Sequence, residues 1–141
     1  MINTINELKY DDIFIGQQES FSINITESMV EKFSNLSGDL NPLHMDNKFA
    51  ESSSFNKRIV HGMLLASFFS QLIGMKLPGK NALYFSQTLN FRSPCCIDDE
   101  IEVIGEVTEK SDSTQIITVS TTIFNKSKTC LIDGIAKIIV K

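Results

Sequence analysis

Asp39 and His44 stand five residues apart in SGDLNPLHMD, residues 37–46, and His44 is one of two histidines in the chain. An imidazole titrates near pH ~6.5, so at neutral pH it can take up or release a proton. A carboxylate beside it can accept a proton from water or hold the ring in one tautomer. Gly38, Asn41 and Pro42 are turn formers, and a rigid loop can aim two side chains at one water molecule. The same spacing also suits an Asp39 that caps a turn and a His44 that is merely packed.

The second histidine lies in RIVHGMLL, residues 58–65, where an apolar run begins. The first amides of a helix lack internal partners and carry a partial positive charge. Gly62 has no side chain, so an oxygen could approach its N–H closely, as in an oxyanion hole. The competing readings are a Gly62 that permits tight packing and a His61 that is structural.

The elements that must position these groups follow from periodicity. FSINI, residues 21–25, alternates like a half-buried strand. TESMVEKFSNLS follows as a helix capped by Thr26 or Ser28, with Met29, Val30, Phe33 and Leu36 on one face and a stop near Gly38. Asn41-Pro42 biases the backbone away from helix. Asp46 can cap a short turn through Phe49 and Ala50, and ESSSFNKR reads as loop. HGMLLASFFSQLIGM, residues 61–75, is apolar on every side of a helical wheel, which predicts a helix buried all round. It is shorter than the ~20 residues a bilayer requires. The stretches 82–94, 100–110, 113–125 and 130–141 read as strands, the last three joined by the polar turns KSDS and NKSK into an antiparallel meander. With FSINI this makes a five-stranded sheet facing one helix, an α+β pattern. One curved sheet covers most of such a helix, and a second copy would cover the rest, so a homodimer is expected.

Composition narrows the class. The 141 residues are 42% hydrophobic and 21% charged, which suits a single globular domain over residues 1–141. A net charge of −4 provides no field for nucleic acid or anionic membrane. Cys95, Cys96 and Cys130 are odd in number and lack a C-x-x-C pair, so they form neither a disulfide framework nor a thiolate zinc site. The polar start MINTINELKYDD lacks the apolar core of a signal peptide, and a cytoplasmic protein is expected. GMKLPGKN lacks the Ser or Thr that should follow Lys80 in a phosphate-binding loop, and it follows a helix instead of a strand, so it reads as a helix stop. Lys57, Arg58, Lys76, Lys80 and Arg92 read as solvated cations near the helix ends.

SGDLNPLHMD, FNKRIVHGMLLASFFSQLIG and LPGKNALYFSQTLNFRSP together resemble the (R)-specific enoyl-CoA hydratases of the MaoC-like hot-dog family. The resemblance runs from about residue 21 to the C-terminus and is strongest over residues 37–94. It implies an α+β hot-dog fold, an antiparallel β-sheet wrapped around a central buried α-helix, paired into a dimer. It implies Asp39 and His44 as a water-activating pair and the Gly62 amide as donor to the thioester oxygen. Asn41 would hold the loop, Ser70 and Ile73 would lie near the acyl pocket, and His61 would join them in binding substrate. The implied substrate is a trans-2-enoyl thioester of coenzyme A or acyl carrier protein, with no metal and no cofactor beyond the coenzyme A of the substrate. A hot-dog thioesterase would share the helix-end oxygen site, and a non-catalytic acyl-binding domain would share the fold; the Asp-His loop favours hydration over both.

Overall fold

The computed structural model describes residues 4–141. Strand β1 (Gln18–Asn24) leads through Thr26 into α1 (Glu27–Ser37). The Thr26 hydroxyl accepts the Met29 N–H at 3.2 Å, and Gly38, at φ 81°, ends the helix. The helix docks along the line of Val30 and Ser34, both fully buried, flanked by Met29 and Phe33. Leu36, expected on that face, is 86% exposed. It lies two residues beyond Ser34, about 200° round the axis, and a buried serine takes the place that hydrophobicity alone would give to leucine.

Two short helices follow. In α2 (Pro42–Met45) the Asn41 side chain accepts the Leu43 N–H at 3.0 Å, and Pro42 occupies the first position, where no N–H is needed. Asp46 then caps α3 (Asn47–Glu51) by accepting the N–H groups of Lys48 and Phe49. Helix α4 (Gly62–Gln71) continues into a wider π-turn, Leu72–Lys76. Leu64, Leu65, Ala66, Phe69 and Leu72 are buried. Within one chain the cover is incomplete: Met63, Ser67 and Ser70, spaced i, i+4, i+7, form an exposed stripe. The sheet covers the rest of the helix and leaves this stripe uncovered within one chain.

The stretch expected as one strand over residues 82–94 splits into β2 (Ala82–Gln87) and β3 (Asn90–Phe91). Thr88 and Leu89 leave the ladder, and the Thr88 hydroxyl accepts the Ile135 N–H instead. The meander is β4 (Glu100–Ser111), β5 (Ile116–Asn125) and β6 (Cys130–Val140). The order is β1-β4-β5-β6-β2, every pair antiparallel, with β3 also on β6. Ile101, Val103 and Val107 of β4 and Ile117, Val119 and Ile123 of β5 alternate onto the inner face. They meet α4, its π-turn and residues of β6 in two adjoining cores. This is the α+β hot-dog fold, and it brings the start of α4 against the turn that carries His44.

Candidate active site

Three chain segments converge at the N-terminus of α4: the linker after α1 with Asp39, the α2 turn with His44, and the segment 58–62. The Ile59 carbonyl lies 2.8 Å from His44 Nδ1. A carbonyl only accepts, so Nδ1 carries the proton and the neutral ring presents the lone pair of Nε2. Nε2 stands 4.0 Å from Asp39 Oδ2. The other carboxylate oxygen, Oδ1, accepts the Asn41 N–H at 3.2 Å. Asp39 is exposed and His44 is partly buried, so the space between them opens to solvent.

The turn is clamped from behind by Arg58. Its Nε donates to the His44 carbonyl at 2.6 Å, and its Nη1 pairs with Glu27 Oε1 at 2.7 Å. Arg58 is only 8% exposed, which corrects its reading as a solvated cation. Burial of its aliphatic stem and two directed hydrogen bonds outweigh hydration because the guanidinium is never left unpaired.

His61 caps the N-terminus of α4 with its backbone and is 2% exposed. Its ring stacks on His44 with centroids 3.9 Å apart and is flanked by Phe33 at 4.9 Å. Its Nε2 lies 3.1 Å from both the Asp39 carbonyl and Ser34 Oγ. Burial pulls its pKa below the ordinary histidine value; the neighbouring His44 adds to this, and the Asp39 carbonyl and carboxylate oppose it. Asp39, His44 and His61 offer ligand atoms within 4.8 Å of one another. His61 is enclosed, and its Nε2 is committed to the Asp39 carbonyl and the Ser34 hydroxyl.

Gly62 is the first residue of α4, and its amide has no partner within the helix. A Cβ there would come within 2.6 and 2.7 Å of the Phe91 ring, so close packing also requires glycine. Gly62 lines a cavity of about 330 Å³ with Ile59, Met63, Phe91 and Cys95. Burial pushes the Cys95 thiol up to about 12, far from a reactive thiolate. On the far side of Met63 a mainly apolar cavity of about 450 Å³ is lined by Phe33, Ala66, Ser70, Tyr84 and Leu89. Asp39, Asn41, His44, His61 and Gly62 are thus brought together, and Ser70 lies one cavity along. Ile73 is a core residue packed with Tyr10, Ile13 and Leu77, and it lines neither cavity. Ser34 and Arg58 were missed by sequence reasoning; their partners lie 27 and 14 residues away, and no local pattern marks them.

The MaoC like domain family profile matches residues 14–128. The (R)-specific enoyl-CoA hydratase of Aeromonas caviae is 41% identical over 120 residues, covering 85% of this chain and 90% of that protein. The 3-hydroxybutyryl-CoA dehydratase of Methylorubrum extorquens is 40% identical over 109 residues, covering 77% of this chain and 69% of that one. The unliganded R-hydratase PhaJ1 of Pseudomonas aeruginosa superposes with a TM-score of 0.93 at 33% identity, covering 96% of this chain and 87% of that one. No helix among the described residues is long and apolar enough to cross a membrane.

Proposed function

The chain belongs to the MaoC-like family of (R)-specific enoyl-CoA hydratases, and from that premise we propose that it catalyses the reversible hydration of trans-2-enoyl-CoA to (R)-3-hydroxyacyl-CoA. It is a hydro-lyase, with the whole chain acting as one domain. The observation that carries the reading is the His44–Asp39 arrangement: an unprotonated Nε2 and a free carboxylate oxygen face each other at 4.0 Å. A water between them can donate one hydrogen to each. Nε2 takes the proton as the water oxygen attacks C3 of the enoyl group. Negative charge moves to the thioester oxygen, where the Gly62 N–H and the N-terminus of α4 stabilise it. One such donor is worth roughly 3 kcal/mol in other enzymes. The proton returned to C2 completes the addition, and dehydration runs the same steps backwards. Water adds with no net electron transfer, so the chemistry calls for no redox cofactor.

Asn41 serves this site by fixing both ends of the turn: its N–H holds Asp39 and its side chain caps α2. The cavity beside Ser70 suits the acyl chain, being apolar and adjacent to Met63 and Phe33. The exposed stripe of α4 and the apolar edge strand β2 suit a homodimer, and free thiols at Cys95, Cys96 and Cys130 suit the reducing cytoplasm.

The test is crotonyl-CoA and the purified chain, following loss of the conjugated-enoyl absorbance and resolving the product by chiral analysis. The (R)-3-hydroxy thioester is expected. Release of free thiol without hydration would instead assign a thioesterase, and the (S) product would reverse the facial assignment.

A further inference from the structure

His61 is titratable and enclosed, and hydration as proposed gives it no proton to move. Its hydrogen bonds nevertheless define its state. Nε2 faces the Asp39 carbonyl at 3.1 Å, and a carbonyl only accepts, so Nε2 carries the N–H. The same N–H is shared with Ser34 Oγ at 3.1 Å, whose own hydroxyl donates to Met45 Sδ at 3.0 Å. Nδ1 therefore keeps the lone pair, buried and without a hydrogen-bond partner. A second proton on Nδ1 would place an unsatisfied N–H in the core and a cation face to face with His44 at 3.9 Å. The Phe33 ring packs tilted against His61 with centroids 4.9 Å apart, and the Asp39 carboxylate is the acid nearby. The lowered pKa agrees with this geometry, and the ring stays neutral while His44 cycles.

We infer that His61 is a positioning residue that sets all three reacting groups in register. Its Nε2–H holds the Asp39 backbone, its ring is the plate on which His44 stacks, and its own chain runs into the Gly62 amide. A neutral aromatic face also suits the imidazolium that His44 becomes during the reaction. The buried, unpartnered Nδ1 is explained as the feature that keeps the ring uncharged. This rests on Asp39 and His44 being the water-activating pair.

The hydrogen bond to Asp39 and the stacked ring can be separated. His61→Gln retains an N–H donor without the ring, and His61→Phe retains a ring without the donor. With crotonyl-CoA, His61→Phe is expected to lose about 10²-fold in kcat with KM little changed, since the reacting groups are displaced while binding is not. His61→Gln, which keeps the hold on Asp39, is expected to lose no more than about tenfold. Nitrogen-15 NMR of the wild-type imidazoles should place the His61 proton on Nε2 at neutral pH, with a titration midpoint below the ~6.5 of a free imidazole. His61→Phe at wild-type kcat, equal losses in the two variants, a rise in KM alone, a proton on Nδ1, or a His61 midpoint at or above ~6.5 would each overturn the inference. A wild-type chain inert toward crotonyl-CoA would fail the hydratase reading instead, and the NMR would still decide the state of His61.

Discussion

His44 Nε2 and Asp39 Oδ2 are 4.0 Å apart, beyond hydrogen-bond reach and within the span that one bridging water fills. A direct bond between them would occupy the lone pair that the reaction uses. The gap is maintained by what holds each group from its other end: the Ile59 carbonyl on His44 Nδ1, and the Asn41 N–H on Asp39 Oδ1.

Asp39→Asn keeps the shape of the side chain and the oxygen that accepts from Asn41, but removes the charge. His44→Ala removes the base. Each is expected to cut hydration of crotonyl-CoA by on the order of 10²–10⁴-fold, the usual weight of a positioned proton acceptor. Asp39 is exposed, so Asp39→Asn should leave thermal unfolding unchanged. Near-normal turnover in either variant would dismiss the pair.

Gly62→Ala drives a methyl into the Phe91 ring, but Phe91 is exposed at the end of a two-residue strand and can swing away. Its effect on the fold should therefore be small and its effect on the rate large, about 10–10²-fold. Comparing Gly62→Ala/Phe91→Ala with Phe91→Ala alone separates two roles for the glycine. A rate loss that persists in the double variant assigns Gly62 to oxygen access; full recovery would assign it to packing only.

Asp39, His44 and Gly62 could be marked as candidates in the sequence because each lies in a short segment with turn formers or a helix start, while their roles came only from the resemblance. The meander was legible because alternation over ten residues has one reading. What was not legible depends on distant partners. Arg58 looks like any surface cation until α1 brings Glu27 against it, and Ser34 looks like a solvent-facing residue until His61 reaches its hydroxyl. The exposed Leu36 and the break at Thr88 have the same cause: docking geometry, which no window of sequence contains, decided them. The apolar wheel of α4 marks a helix that the sheet must cover, but which stripe the chain leaves open follows only from the sheet's reach.

Arg58→Met should loosen the His44 turn. It leaves the His44 carbonyl unpaired, at a cost of about 2 kcal/mol for a lost charge-assisted hydrogen bond. Arg58→Lys should fail to restore it, because an ammonium cannot reach both the carbonyl and Glu27 in the guanidinium's forked geometry. Glu27→Gln alone should cost less than about 1 kcal/mol, since that carboxylate is exposed. Urea unfolding of the three variants checks the ranking, and equal losses for Glu27→Gln and Arg58→Met would refute it.

The depressed pKa of His61 makes stability depend on pH in one direction. Above about pH 6.5 the ring is neutral in both folded and unfolded chains, and its contribution is complete. As pH falls below that value the unfolded chain gains a proton that the folded chain refuses. Stability then drops by up to about 1.4 kcal/mol per pH unit until the folded pKa is reached. Urea unfolding at pH values on either side of ~6.5 should show this slope in the wild type and a shallower one in His61→Gln. Parallel slopes would mean that other groups carry the pH dependence.

Strand β2 lies at the edge of the sheet, with Leu83, Tyr84 and Phe85 exposed beside the open stripe of α4 that begins at Met63. An unpaired, apolar edge invites a second chain, and a stable pairing would cover roughly 800 Å² on each partner. Sedimentation should give twice the 15.8 kDa mass of one chain. Phe85 is 62% exposed, so Phe85→Lys leaves the single chain's packing intact while placing a charge on the apolar edge. This variant is expected to sediment as a monomer at micromolar concentration. It should also lose activity on longer enoyl chains more than on crotonyl-CoA, because the cavity lined by Met63, Ser70 and Tyr84 stays open to solvent without its partner. A wild type that is monomeric and fully active would show instead that one chain completes the site alone.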